Sequence, residues 1–279
     1  MTDPSIYYLV IGHVSNDLTP NGPILGGTVA YAGRTAQALG VRVRAITAAE
    51  KGIDLSQLEN IETHQMPSTQ STTFENRYTS EGRVQILHGR ASDISTKDVP
   101  RGWQRADIVH LGPIADEVDT TLIESFPDAL MCITPQGWLR YWDEKGRVQM
   151  KGWDQISDLL PTANAVVISM EDLADDLRSA QEMADRCEIL AVTDAARGAQ
   201  VFWNGQQHDV PAPVVEEIDP TGSGDIFAAA FFVRLYQTNN PVEAARFANV
   251  LAAASVTRQG LAGTPTMDEI QGAYHQVTT

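Results

Sequence analysis

Asp219-Pro220-Thr221-Gly222-Ser223-Gly224-Asp225, followed at once by the apolar run Ile226 to Tyr236, is the stretch whose reading decides the fold. Two glycines flank a serine, so the backbone can turn tightly and bring its N–H groups close to a ligand. The run after them reads as a buried helix. N–H groups at a helix start have no intrahelical acceptor, and the dipole there favours negative charge, which makes the turn an anion site. Asp225 falls in the first turn, beside any anion held there. An anion cradle next to a carboxylate that can take a hydroxyl proton is what phosphoryl transfer to an alcohol requires. The same residues also fit an ordinary loop-to-helix junction in which Asp225 only complements the dipole.

Composition narrows the classes. The chain has 279 residues, 43% of them hydrophobic, enough for one large α/β domain or one domain with a small appendage. Its net charge of −16, from 36 acidic against 20 basic residues, lacks the basic footprint of a nucleic-acid or membrane-surface binder. No apolar run approaches the roughly 20 residues that span a bilayer. Met1-Thr2-Asp3-Pro4 lacks a basic, apolar leader pattern, and Cys132 and Cys187 are isolated, so a cytoplasmic location is expected. The six histidines form no ligand pattern, and His88 and His110 read as core-edge or lid residues. No Walker-type glycine–lysine loop occurs, nor a Gly-x-Gly-x-x-Gly directly after the first strand. A P-loop NTPase and a dinucleotide-dependent oxidoreductase are therefore unsupported.

Along the chain, short apolar runs alternate with helical patterns. Strands are expected at Ile6–Ile11, Val41–Ala45, Ile108–Leu111, Leu130–Thr134, Ala165–Ile168 and Ile189–Thr193. Helices are expected at Thr28–Leu39, Asp119–Phe126, Glu171–Arg186, Ile226–Tyr236 and Pro241–Arg258. That alternation predicts a mostly parallel sheet with helices on both faces. Two hairpins stand outside it: Ser71–Leu87 around Ser80-Glu81-Gly82, and Phe202–Val210 with Asn204-Gly205.

Asp219 to Phe227 resembles the second signature of the ribokinase-like (PfkB) carbohydrate kinases, Asp-Thr-Thr-Gly-Ala-Gly-Asp-x-Phe, with Pro220 and Ser223 as departures. Gly26, Gly27, Ala36, Leu39 and Gly40 match the family's first signature. The resemblance implies residues 1–279 as one α/β kinase domain, a three-layer α/β/α sandwich with a mostly parallel central sheet. A small β-sheet lid would come from roughly Leu18–Leu25 and Ser71–Leu87. It also implies transfer of a phosphate from ATP, with Mg2+, to a hydroxyl of a small sugar or polyol, myo-inositol being the first guess. A nucleoside kinase and a catalytically silent sugar sensor are the alternatives on the same fold. Because an exposed lid has edges to protect, a homodimer through the lid is a further expectation.

Residue roles follow from the same resemblance. Asp225 is the general base, and Gly222, Ser223 and Gly224 are the anion hole. Asp17, with Asn16 beside it and the Gly26-Gly27 turn, holds the acceptor, since a carboxylate accepts from two hydroxyls; a solvated loop aspartate is the alternative. Tyr31 stands where the family commonly has Asn, and either stacks on a ring or fills the core. In the polar cluster Thr134–Arg140, Gln136 is a polar contact and Arg140 reaches substrate or phosphate, or makes a surface ion pair. Ser169-Met170-Glu171-Asp172 matches a magnesium-organising motif in altered form, with Asp172 and Glu171 as its acids; a capped helix start fits equally. Asp219 lies near metal and phosphates, or is a turn residue before Pro220. Thr193, Arg197 and Gly198, with Ala195 in place of a family glycine, and Asn249 and Gly260, are the nucleotide contacts.

Overall fold

The computed structural model describes residues 6–79 and 82–278, so Ser80 and Glu81 of the first predicted hairpin turn lie outside the described residues. In chain order the strands are β1 (Tyr7–Ile11), β2 (Ser15–Thr19), β3 (Gly22–Gly26), β4 (Arg42–Glu50), β5 (Glu62–Ser68), β6 (Thr72–Thr79), β7 (Gly82–Gly89), β8 (Ile108–Leu111), β9 (Leu130–Ile133), β10 (Arg140–Trp142), β11 (Val148–Met150), β12 (Ala165–Ser169), β13 (Ile189–Thr193), β14 (Ala199–Trp203) and β15 (Gln206–Val210). The helices are α1 (Thr28–Ala38), α2 (Leu177–Ala184), α3 (Ser223–Thr238), α4 (Pro241–Ser255) and α5 (Met267–Thr278).

A nine-stranded sheet in the order β15-β14-β13-β12-β9-β8-β1-β4-β5 forms the centre. Neighbours from β5 to β13 run parallel, and β14 and β15 add an antiparallel edge. The central strands are apolar at nearly every position because both faces are covered, His110 of β8 being the buried polar exception. Tyr8 and Val10 of β1 pack with α1, α3 and α4, while Leu9 and Ile11 pack into the opposite layer. Helix α3 is buried almost all round from Ile226 to Val233, as a central helix must be.

The second layer departs from the predicted run of helices. Asp119–Phe126 forms a 3-10 turn over Thr120–Ser125, with the Asp119 carboxylate accepting from Thr121 N at 2.9 Å. Glu171–Arg186 splits in two: Ala174 and Asp175 take left-handed backbone (φ 55° and 57°), and Asp176 caps a fresh start for α2. This face is covered by Trp103, Phe126, Trp138, Leu160 and Met183, carried mainly on turns. Strand β5 escapes the sequence reading because it is a polar edge strand with only Met66 buried, and Pro67 is tolerated there.

A second sheet, in the order β3-β2-β6-β7, contains the segments expected as the lid. The edge exposure behind the dimer expectation is reduced within the chain. Leu87 N bonds to Gly146 O at 2.8 Å and Ile86 bridges to Arg147 along β7, while Pro23 sits on the β3 edge. The carboxyl ends of β1, β8, β9, β12 and β13 all open toward one crevice, the usual binding position of an open α/β sheet.

Candidate active site

That crevice is a cavity of about 580 Å³, within the range of small-molecule sites. At its centre the 219–225 turn enters α3. Gly222 has φ 78°, and a Cβ there would lie 2.3–2.4 Å from atoms of the Tyr31 ring. Tyr31 is therefore the wall behind the turn: at 1% exposed it fills the core, one of its two sequence readings, and its hydroxyl is buried without a hydrogen-bond partner among the described residues. Ser223 N closes the turn onto Pro220 O at 3.2 Å, so of the three expected anion-hole amides this one is already engaged. Asp219 fastens the turn from outside. One carboxylate oxygen accepts from Thr221 N (3.0 Å) and the other from Gly260 N (2.8 Å).

Asp225 lines the cavity from the first turn of α3. Burial pushes its carboxyl up to about 6, against the stabilising hydroxyl of Thr28 and the charge of Arg140, with Asp17 and Asp172 adding repulsion. Asp17, on β2, is likewise raised to about 6 by burial, opposed by Ser15 Oγ (2.9 Å) and Arg140. Asp17 packs on Gly26, where a Cβ would come within 2.2 Å of its carboxylate, and Gly27 (φ 86°) leaves no room for one against His13 O. Asn16 does not join them. Alternation along β2 turns it to the other face, and it is absent from the cavity wall.

Arg140 is 8% exposed, which removes the surface ion-pair reading; its Nη1 donates to Ile114 O at 3.1 Å and its guanidinium lies 5.8 Å from the Phe74 ring. The support beneath it was invisible in the sequence. Glu117, 1% exposed, accepts from His13 N, Ile114 N and Ala115 N, fixing the exits of β1 and β8.

Asp172 is held by Ser169 Oγ (2.6 Å) and Gln136 Nε2 (3.2 Å), and Gln136 itself lines the cavity. Asp172 and Glu171 both line the cavity beside the turn. Among the described residues no three His, Cys, Asp or Glu side chains gather into a metal cage. Asp219 is absent from the cavity wall and does not combine with Asp172 and Glu171 there. Two hard carboxylates beside the 219–225 turn still suit Mg2+, which keeps several waters and takes few protein oxygens.

The other end of the cavity is lined by Thr193, Arg197 and Gly198, by Ala212 to Val215, and by Asn249, Ala252 and Val256 of α4 and its end. Ala195 has φ 46°, which explains why a glycine suits that position. At Gly198 a Cβ would meet Val210 O at 2.2 Å. Arg197 is paired bidentately with Asp194 (2.5 and 2.6 Å), and Asn249 Nδ2 holds Val210 O at 2.8 Å. Gly260 works through Asp219 and is not in the wall. Wall residues that the sequence did not disclose are Thr28, Phe74, Asn76, Gln85 and Ile114. Asn76 and Gln85 face each other across β6 and β7, joined at 3.2 Å.

A nine-stranded, mostly parallel sheet, a small second sheet and a glycine turn at the cavity centre define the ribokinase fold. Two solved structures of that family superpose closely. A pyrophosphate-dependent kinase complexed with a pyrophosphate analog and myo-inositol has a TM-score of 0.80, 23% identity, and coverage of 95% of this chain and 99% of its own. An Escherichia coli chain assigned as ribokinase II, with ATP and Mg2+, has a TM-score of 0.74, 17% identity, and coverage of 97% and 99%. Within this chain, residues 151–267 match the family model described as pfkB family carbohydrate kinase.

Among curated relatives, Bacillus subtilis ribokinase is 36% identical over 83 residues (29% of this chain, 28% of that one). Inositol 3-kinase of Oryza sativa subsp. japonica is 37% identical over 84 residues (30% and 20%), and Escherichia coli fructokinase 25% over 231 (77% and 73%). The aligned stretch thus spans under a third of the first two relatives. Among the described residues no helix is long and apolar enough to cross a membrane.

Proposed function

We propose that this chain transfers the γ-phosphate of ATP to a hydroxyl of a small sugar or polyol, with myo-inositol the first candidate. The observation that carries this reading is the position of Asp225: a cavity-facing carboxylate in the first turn of α3, between the Asp17–Arg140 end and the small-residue end. Asp225 takes the proton of the acceptor hydroxyl as that oxygen attacks phosphorus. Helix-start amides of the turn stabilise the charge that develops on the transferred group. Asp17 accepts from acceptor hydroxyls, and Arg140 offsets the two carboxylates. Bound Mg2+ would neutralise phosphate charge, held by Asp172 and Glu171 through few direct oxygens.

ATP is favoured over pyrophosphate by the far end of the cavity. Ala195, Ala196, Ala212, Pro213, Ala252, Ala253 and Val256 make an apolar slot, and its cation, Arg197, is bound to Asp194. An apolar slot suits a base; an inorganic diphosphate needs cations.

Because burial holds both carboxyls near 6, and the reaction needs Asp225 ionised, the rate is full above that pH and falls as pH drops through about 6. A pH profile of kcat/KM should lose close to tenfold per unit below the break. A flat profile down to pH 4.5 would remove Asp225 as the base. The function is tested by donor consumption with ATP or pyrophosphate against pentoses, hexoses, inositols and nucleosides. ATP-dependent turnover of one sugar or polyol is expected; binding without turnover across the panel would make the chain a sensor instead.

A further inference from the structure

Beneath the cavity a polar chain crosses an otherwise apolar core. Tyr8, 0% exposed on β1, holds His110 Nδ1 at 2.8 Å through its hydroxyl. His110, 0% exposed on β8, meets Thr134 Oγ1 through Nε2 at 2.8 Å. Phe232 packs edge-on against the imidazole at 5.0 Å between ring centres. Thr134 follows β9, is half-buried, and lines the cavity. Although it precedes the 3-10 turn at Pro135–Leu139, its side chain makes no cap bond, so its hydroxyl is given over to His110 and the cavity. Gly112 lies between it and Thr28: a Cβ there would be 3.2 Å from Thr134 Oγ1 and 2.3 Å from Thr28 Cγ2.

The direction of this chain follows from counting protons. Burial keeps the phenol protonated and the imidazole neutral, so each of the three side chains brings one proton to two hydrogen bonds. If His110 carried its proton on Nδ1, it would donate to Tyr8, and the Tyr8 proton would point into apolar core. His110 is the hydrogen-bond partner of Tyr8 Oη among the described residues, so that arrangement strands a buried donor at the full desolvation cost. With the proton on Nε2, Tyr8 donates to Nδ1, His110 donates to Thr134 Oγ1, and the leftover proton is on Thr134, at the cavity. Thr28 already serves Asp225, so that proton is available to the acceptor.

We propose that Thr134 binds the acceptor by donating to an oxygen adjacent to the reacting hydroxyl, and that the buried Tyr8–His110 pair is a positioning device that aims its proton. The nature of the ligand rests on the kinase reading; the direction of the chain does not.

Two measurements test it. Nitrogen-15 NMR of the histidine-labelled protein, without ligand, should show His110 neutral with its proton on Nε2; a proton on Nδ1 overturns the proposal. Steady-state kinetics with the acceptor of highest turnover in the panel should show Thr134→Val raising acceptor KM about tenfold, the loss of one good hydrogen bond. Its kcat should stay within about threefold, with donor KM and the acid limb unmoved, because chemistry at Asp225 is intact. Thr134→Ser should restore acceptor KM, and Tyr8→Phe, which frees the tautomer, should raise it about threefold. An unchanged acceptor KM in Thr134→Val, a shifted acid limb, or a serine that fails to rescue each overturns it. If no acceptor turns over, the kinase reading fails while the tautomer result still decides the direction of the chain.

Discussion

Asp225→Asn is expected to lower kcat/KM for the acceptor by about 10²–10⁴, the usual contribution of a general base, with no loss of thermal stability. Asparagine fills the same volume and can still bond to Thr28, so the site keeps its shape while losing its proton acceptor. Stability follows from the sign of the shift. The folded carboxyl is raised to about 6 by burial, above the unfolded value, so at neutral pH the ionised group weighs against folding. An uncharged amide removes that burden, and Tm should stay level or rise. Turnover and a melting curve at pH 7.5 check both halves together. A variant within threefold of wild type in rate would move the base elsewhere, and a collapsed Tm would make Asp225 a structural residue.

Gly222→Ala should be nearly as damaging, by about 10²–10³ in kcat, through the 219–225 turn instead of the base. The added Cβ would be driven into the Tyr31 ring at 2.3–2.4 Å, and φ 78° is unfavourable to alanine by about 1–2 kcal/mol besides. Because Tyr31 is packed at 1% exposure, the ring cannot give way cheaply, so the turn must move and carry its amides off target. Combining Gly222→Ala with Tyr31→Val separates the causes. Partial recovery of kcat identifies the clash, whereas no recovery assigns the loss to backbone strain.

The 219–225 turn and α3 were legible because glycines, an acid and an all-apolar helix are local signals. The parallel strands other than the polar edge strand β5 were legible as short apolar runs covered on both sides. The second layer was not, since 3-10 turns carry no 3.6-residue periodicity, and Ala174–Asp175 broke a helix that the pattern alone would continue. Within the site, Asp17 and Asp225 came from motifs, but Thr28 at the start of α1, and Glu117 and Thr134 after β8 and β9, owe their places to elements adjacent only in space. Arg140 had two readings that sequence could not separate, and burial between two carboxylates separates them. Asn16 shows the limit of adjacency: one step along a strand reverses its face.

Asp219 gives the 219–225 turn an anchor outside its own segment. Its second oxygen grips the Gly260 amide, 41 residues onward, and Gly260 is backed by Ile24 of β3. The carboxylate thus acts as a rivet between the rim of the smaller sheet and the cradle of the larger one. Shifting either plate loads the rivet, so damage at Gly260 or β3 should register at the 219–225 turn, although neither contributes an atom to it.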